Sequence, residues 1–207
     1  MKNMNKYLEE INKQESSLVI QEILEQANER NTPIISEEGI NLLVQLIKLS
    51  KTNNVLEIGS AIGYSAIMMA LNTCANITSI EREQENYLLA VENVRKAKLE
   101  ERVFLINDDA LNVKLDDCFD LIFIDAAKAQ YLKFLEHFKG NLKSGGIIVC
   151  DNLLFHGLVE NPEKTDSKRL KSLVKKIDNF NKELINHEEF ETYIYDIGDG
   201  LSISIKK

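Results

Sequence analysis

Five short segments rich in apolar residues, separated by stretches with helical periodicity, constrain the fold of this chain most strongly. Most of the five are apolar without a polar–apolar alternation, which favours strands buried on both faces of a parallel sheet. The segments are Val55–Ile58, Ile77–Ile80, Val103–Ile106, Leu121–Ile124 and Ile147–Cys150. Amphipathic helices are predicted between most of them, at Tyr64–Leu71, Glu83–Lys98 and Ala129–Lys139.

The two ends of the chain extend this alternating pattern. Phe190–Tyr195 and Leu201–Ile205 flank Gly198-Asp199-Gly200, which predicts an antiparallel hairpin at the sheet's edge. Before residue 53 we expect three helices. Their apolar faces would carry Tyr7, Leu8 and Ile11 in the first, Leu18, Val19, Ile23 and Leu24 in the second, and Ile40, Leu43, Leu46 and Ile47 in the third. Ser16 or Ser17 and Ser36 are the candidate N-caps of the second and third helices. The whole pattern predicts a doubly wound α/β domain.

Composition bounds what such a domain can do. The 207 residues suit one domain, 1–207, and the formal net charge of -8 excludes a generally basic nucleic-acid binder. Cys74, Cys118 and Cys150 are scattered and have no metal-ligand spacing, which fits a reducing cytoplasm. No apolar run is long enough to cross a membrane, and the polar segment Met1–Glu15 does not resemble a signal peptide. We therefore expect a cytoplasmic protein.

A glycine-bearing turn follows the first strand. Ligands of doubly wound sheets bind beyond the carboxyl ends of the strands, so the residues after each strand are the place to look for function. Gly59 and Gly63 allow a close approach of the backbone to a ligand, and the helix beginning at Tyr64 offers free amide groups. Ala61 breaks the dinucleotide glycine pattern, which favours a smaller anion such as an amino-acid carboxylate. A turn with a purely structural role is the alternative.

Acidic residues end the second strand and follow the third. Glu81 lies about 22 residues after Gly59, where a carboxylate can accept hydrogen bonds from the two hydroxyls of a ribose. Its alternative is a solvated helix-capping acid, because Arg82 and Glu83 continue the charged run. Asp109 stands where an adenine amino group would be read. Together these positions favour a ligand that contains a nucleoside.

The fourth and fifth strands end in a potential metal site. Asp125 follows one strand, and Asp151 and Asn152 follow the next, so the three side chains can converge at adjacent strand ends. Such hard oxygen donors suit Mg²⁺ or another divalent cation, which would also offset the repulsion between two carboxylates. Alternatively, Asp151 caps the next turn and Asp125 contacts only the ligand. Lys128, three residues after Asp125, is either an exposed helix-start lysine or a base that reaches an acceptor oxygen.

In combination these motifs resemble the cation-dependent class I O-methyltransferases, which include catechol and caffeoyl-CoA O-methyltransferases and a bacterial branch. The motifs are Val55-Leu56-Glu57-Ile58-Gly59, Gly63-Tyr64-Ser65, Ser79-Ile80-Glu81, Ile124-Asp125-Ala126-Ala127-Lys128, Asp151-Asn152 and Gly198-Asp199-Gly200. The resemblance implies a Rossmann-like catalytic core over residues 53–207, preceded by a lid or dimer region over residues 1–52. It also implies a homodimer.

The resemblance assigns roles to individual residues. It implies S-adenosylmethionine as the methyl donor and a divalent cation, with Lys128 and Asp125 as catalytic residues. Asp125, Asp151 and Asn152 would bind the cation. The implied donor-binding residues are Glu57, Gly59, Gly63, Tyr64, Ser65, Glu81, Asp109 and Asp125. One departure concerns the acceptor: Tyr193 stands where the animal catechol enzymes place a glutamate that binds the second catechol hydroxyl.

The resemblance to the bacterial branch implies an RNA acceptor, 5-hydroxyuridine at the wobble position of the tRNA anticodon loop. Its O5 hydroxyl and O4 carbonyl are vicinal oxygens, as are those of a catechol. Net charge opposes RNA binding, but a basic cluster on one predicted helix favours it. That cluster consists of Lys168, Arg169, Lys171, Lys175 and Lys176, with a solvated helix face as the alternative. Phe155 and His156, shortly after the acidic pair, are candidate contacts of the acceptor.

Three other functions fit parts of the pattern. A small acceptor resembling catechol or caffeoyl-CoA would keep the chemistry and need no basic helix. A NAD-dependent dehydrogenase shares this type of sheet, but Ala61 and the Asp151-Asn152 pair disfavour it. A non-catalytic nucleotide-binding or scaffold protein would have no use for the acidic site.

Overall fold

The computed structural model describes Tyr7, Ile11, Asn12 and residues 17–207. Tyr7 and Ile11, from the predicted first helix, are helical and exposed to solvent, whereas Leu8 and the candidate cap Ser16 lie outside the described residues. No helix within the described residues is long and apolar enough to pass through a lipid bilayer.

Six α-helices follow in the described part of the chain, four of them before the middle strand of the sheet. They are α1 (Leu18–Arg30), α2 (Glu37–Leu49), α3 (Tyr64–Asn72), α4 (Gln84–Lys96), α5 (Tyr131–Phe138) and α6 (Lys168–Ile185). Ser17 and Ser36 cap α1 and α2 by accepting hydrogen bonds from the amides of Ile20 and Gly39. These serines satisfy amide groups that have no partner within the helix.

Seven strands form one sheet. They are β1 (Asn54–Ile58), β2 (Asn76–Glu81), β3 (Val103–Asn107), β4 (Phe119–Ile124), β5 (Leu142–Cys150), β6 (Phe190–Tyr195) and β7 (Leu201–Lys206). Their order is β3-β2-β1-β4-β5-β7-β6, with β1 to β5 parallel and β7 antiparallel to both of its neighbours. The strand order reverses at β1 and β4, whose carboxyl ends therefore form the crevice in which such folds bind ligands. The predicted doubly wound class is confirmed.

Helices cover both faces of the sheet. Helices α1 to α4 pack on the face that includes Val55 and Phe123, whereas α5 and α6 pack on the face that includes Leu56 and Ile124. Because successive strand residues point to opposite faces, the uninterrupted apolar segments fill two cores at once.

The predicted hairpin inserts β7 between β5 and β6, so β6 forms the edge of the sheet. Its turn, Gly198-Asp199-Gly200, packs closely against two distant segments. A Cβ atom on Gly198 would lie 2.6 Å from the Ser36 hydroxyl, and one on Gly200 would lie 2.5 Å from the Leu154 side chain. The turn therefore joins the start of α2 to the loop that follows β5.

Candidate active site

A cavity of about 250 Å³ opens at the carboxyl ends of the parallel strands. It lies in the crevice between β1 and β4, where a doubly wound sheet binds its ligand. Most of the residues predicted for the site line it: Gly59, Tyr64, Ser65, Glu81, Asp109, Asp125, Lys128 and Asn152.

The turn after β1 lies in close contact with the backbone that leaves β4. Gly59 has a φ of +100°, and a Cβ atom there would lie 2.2 Å from the carbonyl oxygen of Asp125. No other residue fits this position, because its side chain would overlap the main chain that leaves β4. The amide of Gly59 donates to the carbonyl of Ile80 at 2.9 Å, which fixes the turn to β2 as well.

Glu81 couples this turn to the end of β2. Its side chain is buried, and its two carboxylate oxygens accept hydrogen bonds from the amides of Ala61 and Glu83, each at 2.8 Å. Each oxygen keeps a further lone pair, so the carboxylate can still accept hydrogen bonds from a ligand in the cavity.

The helix that begins at Tyr64 presents unpaired amides to the cavity. Its N-cap, Gly63, has a left-handed φ of +87° and makes no side-chain capping hydrogen bond. Gly63 does not line the cavity; it lies against Ala90 of α4, 3.2 Å from where its own Cβ would be. The free amides and the helix dipole suit a carboxylate ligand. Tyr64 is buried here, and burial raises the pKa of its hydroxyl.

Glu57 lies beneath the turn rather than in the cavity wall. Its carboxylate accepts a hydrogen bond from the Ser79 hydroxyl across β1 and β2 and a second from Ser65. Burial raises the pKa of Glu57 to about 7, although these serines oppose the shift. The family resemblance implies that Glu57 contacts the methyl donor directly. In the structure, the alternation of side chains along β1 turns Glu57 toward the sheet face covered by α3, where it accepts the hydrogen bond from Ser65.

Asp109 follows β3 and lines the far side of the cavity. One of its oxygens accepts a hydrogen bond from the amide of Leu111 at 3.0 Å, which leaves the other oxygen available. A carboxylate oxygen of Asp108 accepts a hydrogen bond from the backbone amide of Asp109 at 2.7 Å.

The acidic residues at the ends of β4 and β5 meet as predicted. The Asn152 side-chain amide donates to Asp125 at 3.2 Å, and the Asn152 backbone amide donates to Asp151 at 2.7 Å. Burial, with a contribution from the nearby Asp125 carboxylate, raises the pKa of Asp151 to about 7. Burial also raises the pKa of Asp125, against the opposing effect of the Lys128 charge. The chain thus holds two carboxyl groups in a place that disfavours their charges.

The chemistry of this donor set fits a divalent cation. Two carboxylates and an amide are hard oxygen donors, and a bound cation would offset the desolvation and repulsion that raise both pKa values. Turning the Asn152 amide by half a rotation would present its oxygen, instead of its nitrogen, to such an ion. Among the described residues, no three or more His, Cys, Asp and Glu side chains are grouped to hold a metal, so this site depends on Asn152.

Two side chains that follow β4 in the sequence, Lys128 and Tyr131, contact or influence the acidic pair. Lys128 is half-buried, begins a short 3₁₀ helix, and lowers the pKa of both Asp125 and Asp151. Tyr131, at the start of α5, is fully buried and donates its hydroxyl hydrogen bond to the backbone carbonyl of Asp151 at 3.0 Å. Sequence reasoning missed Tyr131, because nothing in its local pattern distinguishes it from a core aromatic residue.

The loop between α1 and α2 also reaches the cavity. Pro33, Ile34 and Ile35 form part of its wall, although the N-terminal third showed no chemical motif in the sequence. An apolar contact surface has no signature of its own, so only the fold reveals that this loop covers the site.

Other candidates lie elsewhere. His156 is mostly exposed, with its Nδ1 3.4 Å from a carboxylate oxygen of Asp199, and neither it nor the neighbouring Phe155 lines the cavity. Tyr193 is 61% exposed on the edge strand β6. The predicted basic cluster does lie on one helix, α6.

Comparison with known proteins identifies relatives across almost the whole chain. The family profile of O-methyltransferases matches residues 9–207. A caffeoyl-CoA O-methyltransferase of Populus kitakamiensis is 32% identical over 179 residues, which cover 81% of this chain and 75% of that protein. Tapetum-specific methyltransferase 1 of Arabidopsis thaliana is 32% identical over 183 residues, covering 82% and 78% of the two chains.

Solved structures agree with this relationship. A Staphylococcus aureus protein provisionally described as a caffeoyl-CoA O-methyltransferase has a TM-score of 0.91 at 37% identity, covering 98% of both chains. The methyltransferase PaMTH1 of Podospora anserina, solved with S-adenosylhomocysteine bound, has a TM-score of 0.87 at 26% identity. That match covers 98% of this chain and 93% of PaMTH1.

Proposed function

The chain belongs to the O-methyltransferase family, and on that basis we propose that it methylates an acceptor hydroxyl with S-adenosylmethionine and a divalent cation. The observation that carries the proposal is that Asp125, Lys128 and Asn152 line the cavity, with the carboxyl group of Asp151 buried directly behind them. Family membership sets aside the NAD-dependent dehydrogenase.

The cavity has the chemistry to hold the methyl donor. The free amides at the start of α3 suit its methionine carboxylate, and Glu81 suits its ribose hydroxyls. Asp109 faces the position left for the adenine ring, and Asp125 can bind the methionine amine. The S-adenosylhomocysteine-bound PaMTH1, which shares this fold at 26% identity, supports the same donor here.

Asp125, Asp151 and Asn152 would hold the cation, which when bound lowers the pKa of a nearby hydroxyl and fixes the direction of its oxygen. Lys128, at the wall of the cavity, is the candidate base for the hydroxyl proton. The acceptor oxygen then forms its bond to the methyl carbon while the bond from that carbon to sulfur breaks. S-Adenosylhomocysteine leaves as a neutral thioether, and the protein's contribution is to align the oxygen with the donor and exclude water.

For the acceptor we propose 5-hydroxyuridine at the tRNA wobble position, to give 5-methoxyuridine. The position lies in a loop, so its base can turn out into a pocket without breaking a base pair. The basic face of α6 next to Lys128 supports a polyanionic acceptor. The second candidate, a small catechol-like or caffeoyl-CoA-like molecule, is favoured by the activities named for the plant relatives.

We further propose that the chain works as a cytoplasmic homodimer of single-domain subunits, with residues 1–52 as the lid or dimer region. The loop Pro33–Ile35 on the cavity wall supports the lid role. Exposed Leu18 and Leu49 on α1 and α2 support a contact with a second subunit.

The test is methyl transfer from labelled S-adenosylmethionine to tRNA containing 5-hydroxyuridine, beside free catechol, with Mg²⁺ or with chelator. We expect labelled tRNA with Mg²⁺ and none with chelator. Labelling of catechol alone would replace the RNA acceptor with a small one. No labelling of either acceptor would favour the non-catalytic scaffold.

Asp151→Ala provides the matched arm of this experiment. It removes one carboxylate of the acidic site and leaves the glycine turn and Glu81 unchanged. We expect loss of Mg²⁺-dependent transfer with retained binding of S-adenosylhomocysteine, whereas Asp125→Ala should lose both. Full activity of Asp151→Ala in chelator would contradict the cation-dependent mechanism.

A further inference from the structure

A second and wider cavity, which we call the α6 groove, adjoins the candidate active site. It has a volume of about 820 Å³ and lies between the segment Ala126–Ala129 after β4 and the first half of α6. The two cavities share Ala126, Ala127 and Lys128. A molecule whose reactive group occupies the first cavity can therefore extend directly into the second.

The wall of the α6 groove is cationic. Its charged residues are Lys128, Arg169 and Lys176, and no acidic residue lies on the described wall. Arg169 and Lys176 are seven residues apart, so they lie on one face of α6, about 10 Å apart along its axis. Neither forms a salt bridge with any described residue, in contrast to Lys182 further along the helix, which pairs with Asp178.

The charge placement on α6 opposes helix stability. The first turn of α6 has no acidic residue, and its early cations lie at the end where the helix dipole favours anions. Residues 168–176 hold five of the chain's 25 lysines and arginines in a protein of net charge -8. A bound anion would offset both the unfavourable interaction with the helix dipole and the repulsion among these cations, so the charges favour an anionic ligand.

The basic cluster divides into two sets on the structure. All five residues are exposed, but only Arg169 and Lys176 line the α6 groove, whereas Lys168, Lys171 and Lys175 do not. The sequence alone treated all of these residues as one basic face. The structure therefore distinguishes cations that can contact a ligand in the groove from cations that only contribute to the long-range electrostatic attraction of anions.

We propose that the α6 groove binds backbone phosphates of an RNA acceptor next to the nucleotide being methylated, through Arg169 and Lys176. This inference rests on the proposed RNA acceptor and deepens it. Two cations spaced along one helix face suit successive phosphates of a strand, and Ser167 and Ser172 add hydroxyl donors to the same wall. The position of the groove beside the first cavity, across Ala126, Ala127 and Lys128, suits a base turned inward from a strand that continues outside.

The test compares two charge reversals on the same helix. Arg169→Glu/Lys176→Glu changes the groove, and Lys171→Glu/Lys175→Glu makes the same change in net charge outside it. The probe is a fluorescently labelled RNA hairpin with an anticodon-like loop, and its binding is measured by anisotropy across a range of salt concentrations. Since all four positions are exposed and the reversals place acidic residues in the first half of α6, thermal unfolding midpoints of both variants should be equal to or above that of the wild type.

We expect the groove pair to weaken RNA binding by about tenfold or more and the outer pair by about threefold or less. The slope of log affinity against log salt should fall by about 1.4 for the groove pair, because each single-strand phosphate contact contributes about 0.7. Equal weakening by the two pairs would overturn the proposal, since it would show general attraction without a groove site. Unchanged affinity in both would overturn it as well.

Coenzyme A serves as the small phosphate-bearing probe. If wild-type protein binds coenzyme A in a manner sensitive to the groove pair and fails to bind the hairpin, the RNA occupant is wrong. The binding assays contain no methyl donor and no divalent cation. A negative result in the binding assays therefore contradicts the groove proposal alone. A failure of the proposed methyl transfer is detected only by the labelling experiment.

Discussion

Glu57 is a carboxyl group that the pairing of β1 and β2 places in the protein interior. Among the described residues, its hydrogen-bond donors are serine hydroxyls, and one of its oxygens is buried without a partner. A carboxyl group in this setting is more easily protonated in the folded chain than in the unfolded one. The free energy of unfolding must therefore depend on pH through this residue.

We expect Glu57→Gln to gain stability relative to wild type as the pH rises. Because the folded pKa is about 7 and the ordinary value is 4.5, the wild-type contribution is present below pH 4.5 and is lost as the pH rises to 7. The loss amounts to at most about 3 kcal/mol. Urea unfolding at pH 5 and pH 8, without divalent cations, measures the difference between the two proteins.

The matched control for this change is Glu191→Gln, an exposed glutamate on β6. Its difference from wild type should be the same at both pH values. A Glu57→Gln protein whose stability relative to wild type does not change with pH would show that Glu57 is charged in the fold.

The strand-end residues show what could be predicted at this scale. Gly59, Glu81, Asp125, Asp151 and Asn152 lie at strand ends as expected, because the carboxyl ends of parallel strands always meet at one edge of the sheet. Their roles in binding the donor and the cation stay predictions. The position of Glu57 in the interior was not foreseen. The family resemblance implied a contact with the methyl donor, and only the register of β1 with β2 shows its partner, Ser79.

Among the elements, α5 contributes one contact that reaches the acidic site. The ring of Tyr131 packs edge-on against Phe180 of α6, with centroids 5.4 Å apart, and its hydroxyl binds the Asp151 carbonyl. This single side chain joins α5, α6 and the end of β5. The position of Asp151 thus depends on helix packing as well as on the sheet.

We expect Tyr131→Phe to destabilise the protein by about 1 kcal/mol, because a buried carbonyl loses its hydrogen bond while the ring packing is kept. Methyl transfer should fall as well, since Asp151 loses a support. Tyr195→Phe on β6, where the ring is 42% exposed, is the control. Equal stability and activity of the two variants would show that the Tyr131 hydroxyl does not hold Asp151.

The start of β5 differs from the prediction, because contacts with β4 extend the strand beyond its apolar segment. β5 begins at Leu142 instead of Ile147, because Leu142 pairs with Phe119 of β4; the register then shifts over residues 143–146 before Ile147 pairs with Leu121. Lys143 also pairs with Asp120 of β4 at 2.6 Å, a contact that no local pattern reveals. The seven strands were predictable from apolar content, but their lengths were set by contacts between strands.

At the scale of the whole molecule, the N-terminal helices are coupled to the ligand cavity. The loop Pro33–Ile35 contributes to its wall, while α1 and α2 contribute Ile23, Leu43 and Ile47 to the core and pack against α3. Binding in the cavity should therefore stabilise a region that is remote in sequence from the glycine turn.

We expect S-adenosylhomocysteine to slow amide hydrogen exchange at residues 34–36 as well as at residues 59–65, because a ligand that binds only the folded state reduces local opening. Residues 190–195 of β6 do not line the cavity and should exchange at an unchanged rate. Protection confined to residues 59–65 would show that the N-terminal loop takes no part in holding the ligand.

The close packing of Gly198 on Ser36 and of Gly200 on Leu154 sets an order of events during synthesis. The contact of Gly198 with Ser36 spans more than half of the sequence. The loop that carries Asp151 and Asn152 is held to the turn by hydrogen bonds from the amides of Leu153 and Leu154 to the carbonyls of Gly200 and Asp199. Because a chain emerges from the ribosome from its N-terminus, the five parallel strands are available before this turn exists. The acidic site therefore gains its final support only after residue 200 has been made. A nascent chain can form its parallel sheet well before its acidic site is complete.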